Sequence, residues 1–138
     1  MKGQLNTADL LRTVLDKTDG LPHDAVVTNL TLLEIPWYHK LLAVNDGALI
    51  PHSTLEQRIS RLETVSKAIW ALTGDENIKI AAIATKEEVS LRIVETVDAA
   101  GLKKMNVDKR FEGCVVEGPI SLDLALSPEA AARKLYKS

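Results

Sequence analysis

The first amphipathic pattern in the chain is "NTADLLRTVLDK", where Leu10, Leu11, Val14 and Leu15 recur at helical spacing on one face. Asn6 or Thr7 supplies an N-cap, Asp9 lies in the first turn, Lys17 in the last, and Gly20 follows as a stop. The pattern therefore predicts a helix to about Lys17. The period then changes. "DAVVTNLTLLEI" (24–35) is rich in β-branched residues and partly alternates, which predicts a long strand ended by Pro36. "KLLAVND" (40–46) predicts a second strand. Trp37, Tyr38 and His39 lie between them, and so short a connection requires an antiparallel hairpin, because a parallel pair needs a crossover of about a dozen residues.

A loop from Asp46-Gly47 leads to the longest helical pattern: Leu55, Ile59, Leu62, Val65, Ile69 and Leu72. Thr54 and Gln57 have the spacing of a capping box, and Gly74 closes the helix. Arg58, Arg61, Glu63 and Lys67 along it read as a solvated face. "NIKIAAIAT" (77–85) and "GCVVEGP" (113–119) predict short strands of the buried kind. Between them lie a loop over 86–92 and a helix over 94–105. Ser127-Pro128-Glu129 is a helix start, with serine capping and proline at the first helical position. From Thr54 the order helix, strand, helix, strand, helix predicts an α/β class fold. The expected architecture is a layered sheet with flanking helices and mixed strands, including one antiparallel hairpin.

Composition narrows the function classes. Aromatic residues are 4% against 46% hydrophobic, so the core is aliphatic and no base-stacking platform is expected. The formal charge is −2 and the cations are scattered among acids, which argues against nucleic acid as a partner. No apolar run approaches the ~18 residues of a membrane span, so no membrane partner is expected. One cysteine, Cys114, forms no internal disulfide and fits a reducing, cytoplasmic setting; in an apolar strand it reads as a small core hydrophobe.

The opening "MKGQLNTADLLR" carries the first candidate chemistry. A helix N-terminus offers unpaired N–H groups and a partial positive charge, and Gly3 lets an anion approach the backbone. Lys2 adds a charge, Thr7 a hydroxyl and Arg12 a donor fork. The plainer reading is a capped helix that binds nothing, and both stand at this point. His23, His39 and His52 lie in separate segments without metal-ligand spacing, so no metal site is expected; His52 alone is a candidate for ligand contact. Glu117-Gly118-Pro119 ends a strand, as does Asp46, and ligands of open α/β sheets bind at that edge; the same acids also serve as turn caps. Neither of the standard nucleotide-binding glycine motifs is present.

Four separated stretches together resemble the phosphate acetyl/butyryl transferase family, more closely its butyryltransferase branch. "MKGQLNTADLLRTVLDKTDGL" is similar to that branch's M-K-G-x-x-x-T-x-x-L-L-R-x-V-L-x-K-x-x-G-L. "EIPWYHKLLAVNDGALIPHSTLEQR" resembles its hairpin, aspartate and following helix. "VDAAGLKKM" resembles its T-x-D-A-A-x-L-x-K-M helix, and "VVEGPISLDLALSPEAA" its D-G-P-L-x-x-D-x-A-x-S segment, with Glu117 in place of the aspartate. The resemblance implies a fold of two α/β domains with a cleft between, and transfer of an acyl group between coenzyme A and inorganic phosphate. Acyl-CoA, acyl phosphate and phosphate are the implied partners. Coenzyme A acts as substrate, no metal or redox cofactor takes part, and a homodimer is implied. Lys2, Gly3, Thr7 and Arg12 match positions that hold phosphate and CoA. Asp46, Glu117, Gly118, Pro119 and Asp123 match motif positions at the substrate cleft. Where many relatives have a proline-bearing loop, this chain has "SLRIV", leaving Ser90 and Arg92 as candidate phosphate ligands.

By this resemblance, residues 1–22 match the end of the first domain and 23–138 an α/β domain truncated at its C-terminal end. The family's catalytic Ser-Arg pair and aspartate are then expected beyond Ser138, so the 138 residues are expected to form an incomplete transacylase. The alternative is a non-catalytic paralogue that binds CoA or acyl phosphate, or serves as an oligomer subunit.

Overall fold

A computed structural model describes residues 3–21, 27–45, 53–108, 111 and 113–136. The chain divides into two compact units, Met1–Pro51 and His52–Ser138. A division after residue 22 lies at 22–26, outside the described residues.

In the first unit, helix α1 spans Thr7–Val14, and Asn6 caps it by accepting from the Ala8 N–H at 2.9 Å. It ends three residues before Lys17. The Asp16 carboxylate accepts from Thr18 N (2.8 Å) and Asp19 N (3.0 Å), a local turn that competes with helix continuation. Strands β1 (Leu30–Leu33) and β2 (Leu42–Asn45) form the expected antiparallel hairpin, with Leu30 opposite Asn45 and Leu33 opposite Leu42. The first strand is shorter than its pattern predicts. Residues 24–26 lie outside the described set, and over Thr28 and Asn29 the Asn45 side chain takes the place of the ladder. It donates to Thr28 Oγ1 at 2.8 Å and to Asn29 O at 2.7 Å.

The second unit begins with α2 (Leu55–Thr73), whose capping box of Thr54 and Gln57 is complete and whose C-cap Gly74 sits at φ 70°. Strands β3 (Ile78–Ile83) and β4 (Cys114–Ile120) pair in parallel through the crossover helix α3 (Val94–Val107). The mixed strands thus separate into an antiparallel pair and a parallel pair. Ile59 and Leu62 of α2, Ile78 of β3, Leu102 of α3, Phe111, Cys114 and Val116 form the core. Lys79, Ala81 and Ile83 alternate with the buried positions of β3 and are exposed, so this strand is buried on one face rather than both.

The solvated-face reading of α2 is corrected at two positions. Arg61 is 6% exposed, with Nε donating to Gln57 O at 3.3 Å, and Arg58 forms an ion pair with Asp98 of α3 at 3.4 Å. Helical spacing marks which residues share a face; it does not say that a neighbouring helix will cover part of the charged one.

Two short helices end the described chain, α4 (Leu122–Leu126) and α5 (Pro128–Arg133). The second starts where expected, with Ser127 Oγ accepting from Ala130 N at 3.2 Å. The first was not predicted, because Leu122, Leu124 and Leu126 alternate with the period of a strand. Ile120, Leu124 and Ala130 form a separate small core there.

Candidate functional site

A polar network ties the segments that follow the C-terminal ends of the two parallel strands. Pairing continues past β3 as Ala84 N donates to Ile120 O at 3.0 Å, so the segments leaving β3 and β4 start side by side. They are then tied by side chains. Ser121 Oγ donates to Glu87 Oε1, and Lys134 Nζ lies 3.3 Å from both Glu87 Oε1 and Asp123 Oδ2. The Ser121 hydroxyl and then the nearby ammonium hold Glu87 and Asp123 below their ordinary carboxylate range. The two carboxylates in return raise Lys134, Asp123 most. A shallow cavity of about 270 Å³ opens beside this network, lined by Lys86, Glu87, Glu88, Leu124, Lys134 and Tyr136.

Next to it, Lys103 Nζ of α3 meets Glu117 Oε2 of β4 at 2.6 Å, a bond that raises the lysine. Burial, then the charge of Glu117, raises the Tyr136 phenol. Gly118 sits at φ 154°, and a Cβ there would lie 2.8 Å from both Cβ and O of Ala82. Only glycine lets β3 and β4 approach at this point, where the register slips between Ala81 and Ile83. Pro119 follows a cis peptide bond and is buried.

Ser90 and Arg92 lie on the segment between β3 and α3, Arg92 exposed and Ser90 half-buried. Helix α3 begins with Ile93 as N-cap, which offers no side-chain acceptor to the first turn. Gly118 and Pro119 thus lie in the last part of β4, Glu117 at its midpoint and Asp123 in the helix that follows, while Ser90 and Arg92 lie at the far end of the segment from β3 to α3. The C-terminal end of the strands is the edge of an α/β sheet where ligands are bound.

The opening stretch belongs to the other unit. Gly3 has φ 58° and is exposed, as is Thr7, and Asn6 rather than Thr7 caps α1. Arg12 turns back one helical turn to Asp9 at 3.6 Å, both side chains open to solvent. Lys2, Asp46, His23 and His52 lie outside the described residues; His39 is exposed, its ring beside Tyr38. Cys114 is buried with its thiol toward Phe111 O. Among the described residues no cluster of His, Cys, Asp and Glu is placed to hold a metal, and no helix is long and apolar enough to cross a membrane.

Sequence reasoning missed Glu87, Lys103, Ser121 and Lys134. Only Glu87 left a signal, as an acid in "TKEE" directly after an apolar strand; Lys134 reaches across 47 residues of sequence and left none.

Fold and site together define an α/β protein with its polar groups gathered where parallel strands end. The phosphate acetyl/butaryl transferase family matches residues 1–138, and the chain belongs to that family. It is 38% identical over 134 residues to a phosphate butyryltransferase of Clostridium acetobutylicum, covering 97% of this chain and 44% of that protein. It is 34% identical over 138 residues to a phosphate acetyltransferase of Thermotoga maritima, covering 100% of this chain and 47% of that protein. The crystal structure of a branched-chain phosphotransacylase from Enterococcus faecalis V583 superposes with a TM-score of 0.84 at 26% identity, over 96% of this chain and 47% of that one. The chain thus spans less than half the length of these relatives.

Proposed function

We propose that these 138 residues form part of a phosphate acyltransferase of the acetyl or butyryl class, catalysing acyl-CoA + phosphate ⇌ acyl phosphate + CoA. The observation that carries this reading is the family match over residues 1–138, and the polar network of Glu87, Ser121, Asp123 and Lys134 where β3 and β4 end supports it. Arg92, the Ser90 hydroxyl and the first N–H groups of α3 have the chemistry to hold a phosphoryl group. Lys2, Gly3, Thr7 and Arg12 are assigned a second anion-binding stretch. Glu117, held by Lys103, and Asp123, held by Lys134, are assigned to the substrate cleft, and Asp46 is assigned a substrate contact on the family resemblance alone.

In the transfer, the thiolate of CoA attacks the acyl carbon, the bond from that carbon to the bridging oxygen breaks, and phosphate leaves. A base takes the thiol proton, whose ordinary pKa is about 8.5 by analogy with cysteine. Positive groups and helix N–H donors around the leaving phosphate supply the main stabilisation. We assign the base to the part of the family fold that this chain does not match, where the family resemblance puts the catalytic aspartate; the chain spans 44% of the butyryltransferase it is similar to. Coenzyme A is a substrate here, and no metal or redox cofactor has a part. A homodimer in the cytoplasm completes the proposal.

The test is release of free thiol from acetyl-CoA and butyryl-CoA by the 138-residue chain, with and without phosphate, together with titration of CoA and phosphate by NMR. The expected result is binding of both, weakened by Arg92→Ala, without turnover. Phosphate-dependent thiol release would place the base within these residues. Absence of any binding by the folded chain would overturn the reading.

A further inference from the structure

The segment that carries Ser90 and Arg92 has little of its own to hold it. Val89 is 56% exposed, Leu91 89% and Val94 63%, so apolar packing of its side chains contributes little to its shape. A loop of exposed residues loses conformational freedom on ordering and needs specific bonds to offset that loss. Here the bonds converge on one side chain. Thr96, in the first turn of α3, is 0% exposed. Its Oγ1 accepts from Ser90 N at 2.9 Å, and its single hydroxyl proton faces Ile93 O at 2.7 Å and Ser90 O at 3.1 Å. Ile93 N closes the same turn on Ser90 O at 2.9 Å. Both polar groups of the Ser90 backbone are thus fixed from within the helix. The N-cap Ile93 has no side chain able to do this.

We infer that Thr96 is the positioning residue of the candidate phosphate-binding turn: it holds Ser90 to Ile93 so that the Ser90 hydroxyl and the Arg92 guanidinium are presented beside the N-terminus of α3. The inference rests on the function proposed above and names a residue on which that site depends without touching the ligand. Threonine suits the task because its hydroxyl both donates and accepts, and its methyl group fills a site that excludes water. Valine keeps the shape and removes the bonds; serine keeps the bonds.

The probes are inorganic phosphate and coenzyme A, titrated separately against the folded chain by NMR. Thr96→Val is expected to weaken both by about tenfold, the scale of one to two hydrogen bonds, with the amide shifts of α2 and β4 unchanged. Thr96→Ser is expected to bind within about twofold of the parent. Adding Arg92→Ala to Thr96→Val is expected to cost less than Arg92→Ala alone, since an arginine no longer presented has less to lose. A purely structural threonine would move stability and leave these affinities alone.

Parent-like binding by Thr96→Val while Arg92→Ala loses affinity would overturn the role of Thr96 and leave the proposed function standing. Failure of the parent chain to bind either probe would overturn both. If Thr96→Val does not fold, Thr96→Ala is read the same way. Failure of both to fold overturns the inference, because the threonine would then serve the fold as a whole.

Discussion

Arg58 of α2 and Asp98 of α3 form an ion pair at 3.4 Å, with side chains 26% and 12% exposed. The bond joins the longest helix to the crossover helix at the margin of the core. Removing one partner leaves the other charge largely out of water, and that residual charge, more than the lost attraction, sets the cost. Arg58→Met is therefore expected to lower unfolding stability by about 2 kcal/mol, below the range for fully buried pairs because both groups keep some solvent. The double variant Arg58→Met/Asp98→Asn is expected to lose less than the sum of the single changes. Urea denaturation of the four proteins checks this; strict additivity would mean that the pair does not couple the helices.

Two glycines with positive φ differ sharply in what a methyl group would meet. At Gly74, φ 70°, nothing lies within 4 Å, so Gly74→Ala is expected to cost only the left-handed backbone strain, about 1 kcal/mol. At Gly118 the same change drives Cβ against the backbone of Ala82 at 2.8 Å, and the cost is expected to reach about 3 kcal/mol or more. Ala82→Gly removes one of the two close contacts and leaves the carbonyl, so partial rescue of Gly118→Ala is expected. Equal urea midpoints for the two alanine variants would refute the close approach of β3 and β4.

Much of this architecture was legible in the sequence, and the failures have physical causes. The capping box at Thr54, the left-handed stop at Gly74 and the Ser127-Pro128 start are local devices, each completed by groups within four residues of one another. The hairpin was legible because its connection is too short for anything else. What escaped depends on partners far along the chain: Arg58 needs Asp98, Ser121 needs Glu87, and Lys134 needs both Glu87 and Asp123. Arg61 looked like the other charged residues of α2, and no period distinguishes it. Glu117 was legible as a candidate from its place in a buried strand and Asp123 only through the family resemblance, whereas the lysines that hold them were not. Thr96 stands at the threonine of the T-x-D-A-A motif, but nothing in a helical pattern says that its hydroxyl will fix the backbone of Ser90 upstream.

Cys114 offers a check on the core. Burial pushes its thiol up, partly offset by the Ser66 hydroxyl, so the reactive thiolate is scarce in the native state. Modification by a disulfide reagent at mildly alkaline pH is expected to be slow in the folded chain. It should become rapid in denaturing urea, with a dependence that follows global unfolding. Fast labelling of the folded protein would contradict the placement of β4 inside the core.

The network at the strand ends predicts a specific pH response. Glu87 lies below its usual 4.5 and Asp123 below its usual 3.8, in each case with the Ser121 hydroxyl as the first cause and Lys134 contributing. A carboxylate depressed in the folded state adds stability above its unfolded pKa and loses it as the pH falls through the folded value. The acid side of the melting profile should therefore drop from about pH 4.5 downward. Lys134 is raised above 10.5, with Asp123 the first cause, so its contribution is whole below 10.5 and disappears as the pH rises through the folded value. Lys134→Met is expected to flatten both ends relative to the parent, though Lys103, raised by Glu117, keeps part of the alkaline loss. Ser121→Ala isolates the hydroxyl: Glu87 should titrate closer to 4.5, read from its carboxyl carbon by NMR, while the Lys103–Glu117 pair is left alone. If Glu87 titrates unchanged in Ser121→Ala, the serine bond is not what holds the segments leaving β3 and β4 together, and the candidate site loses its brace.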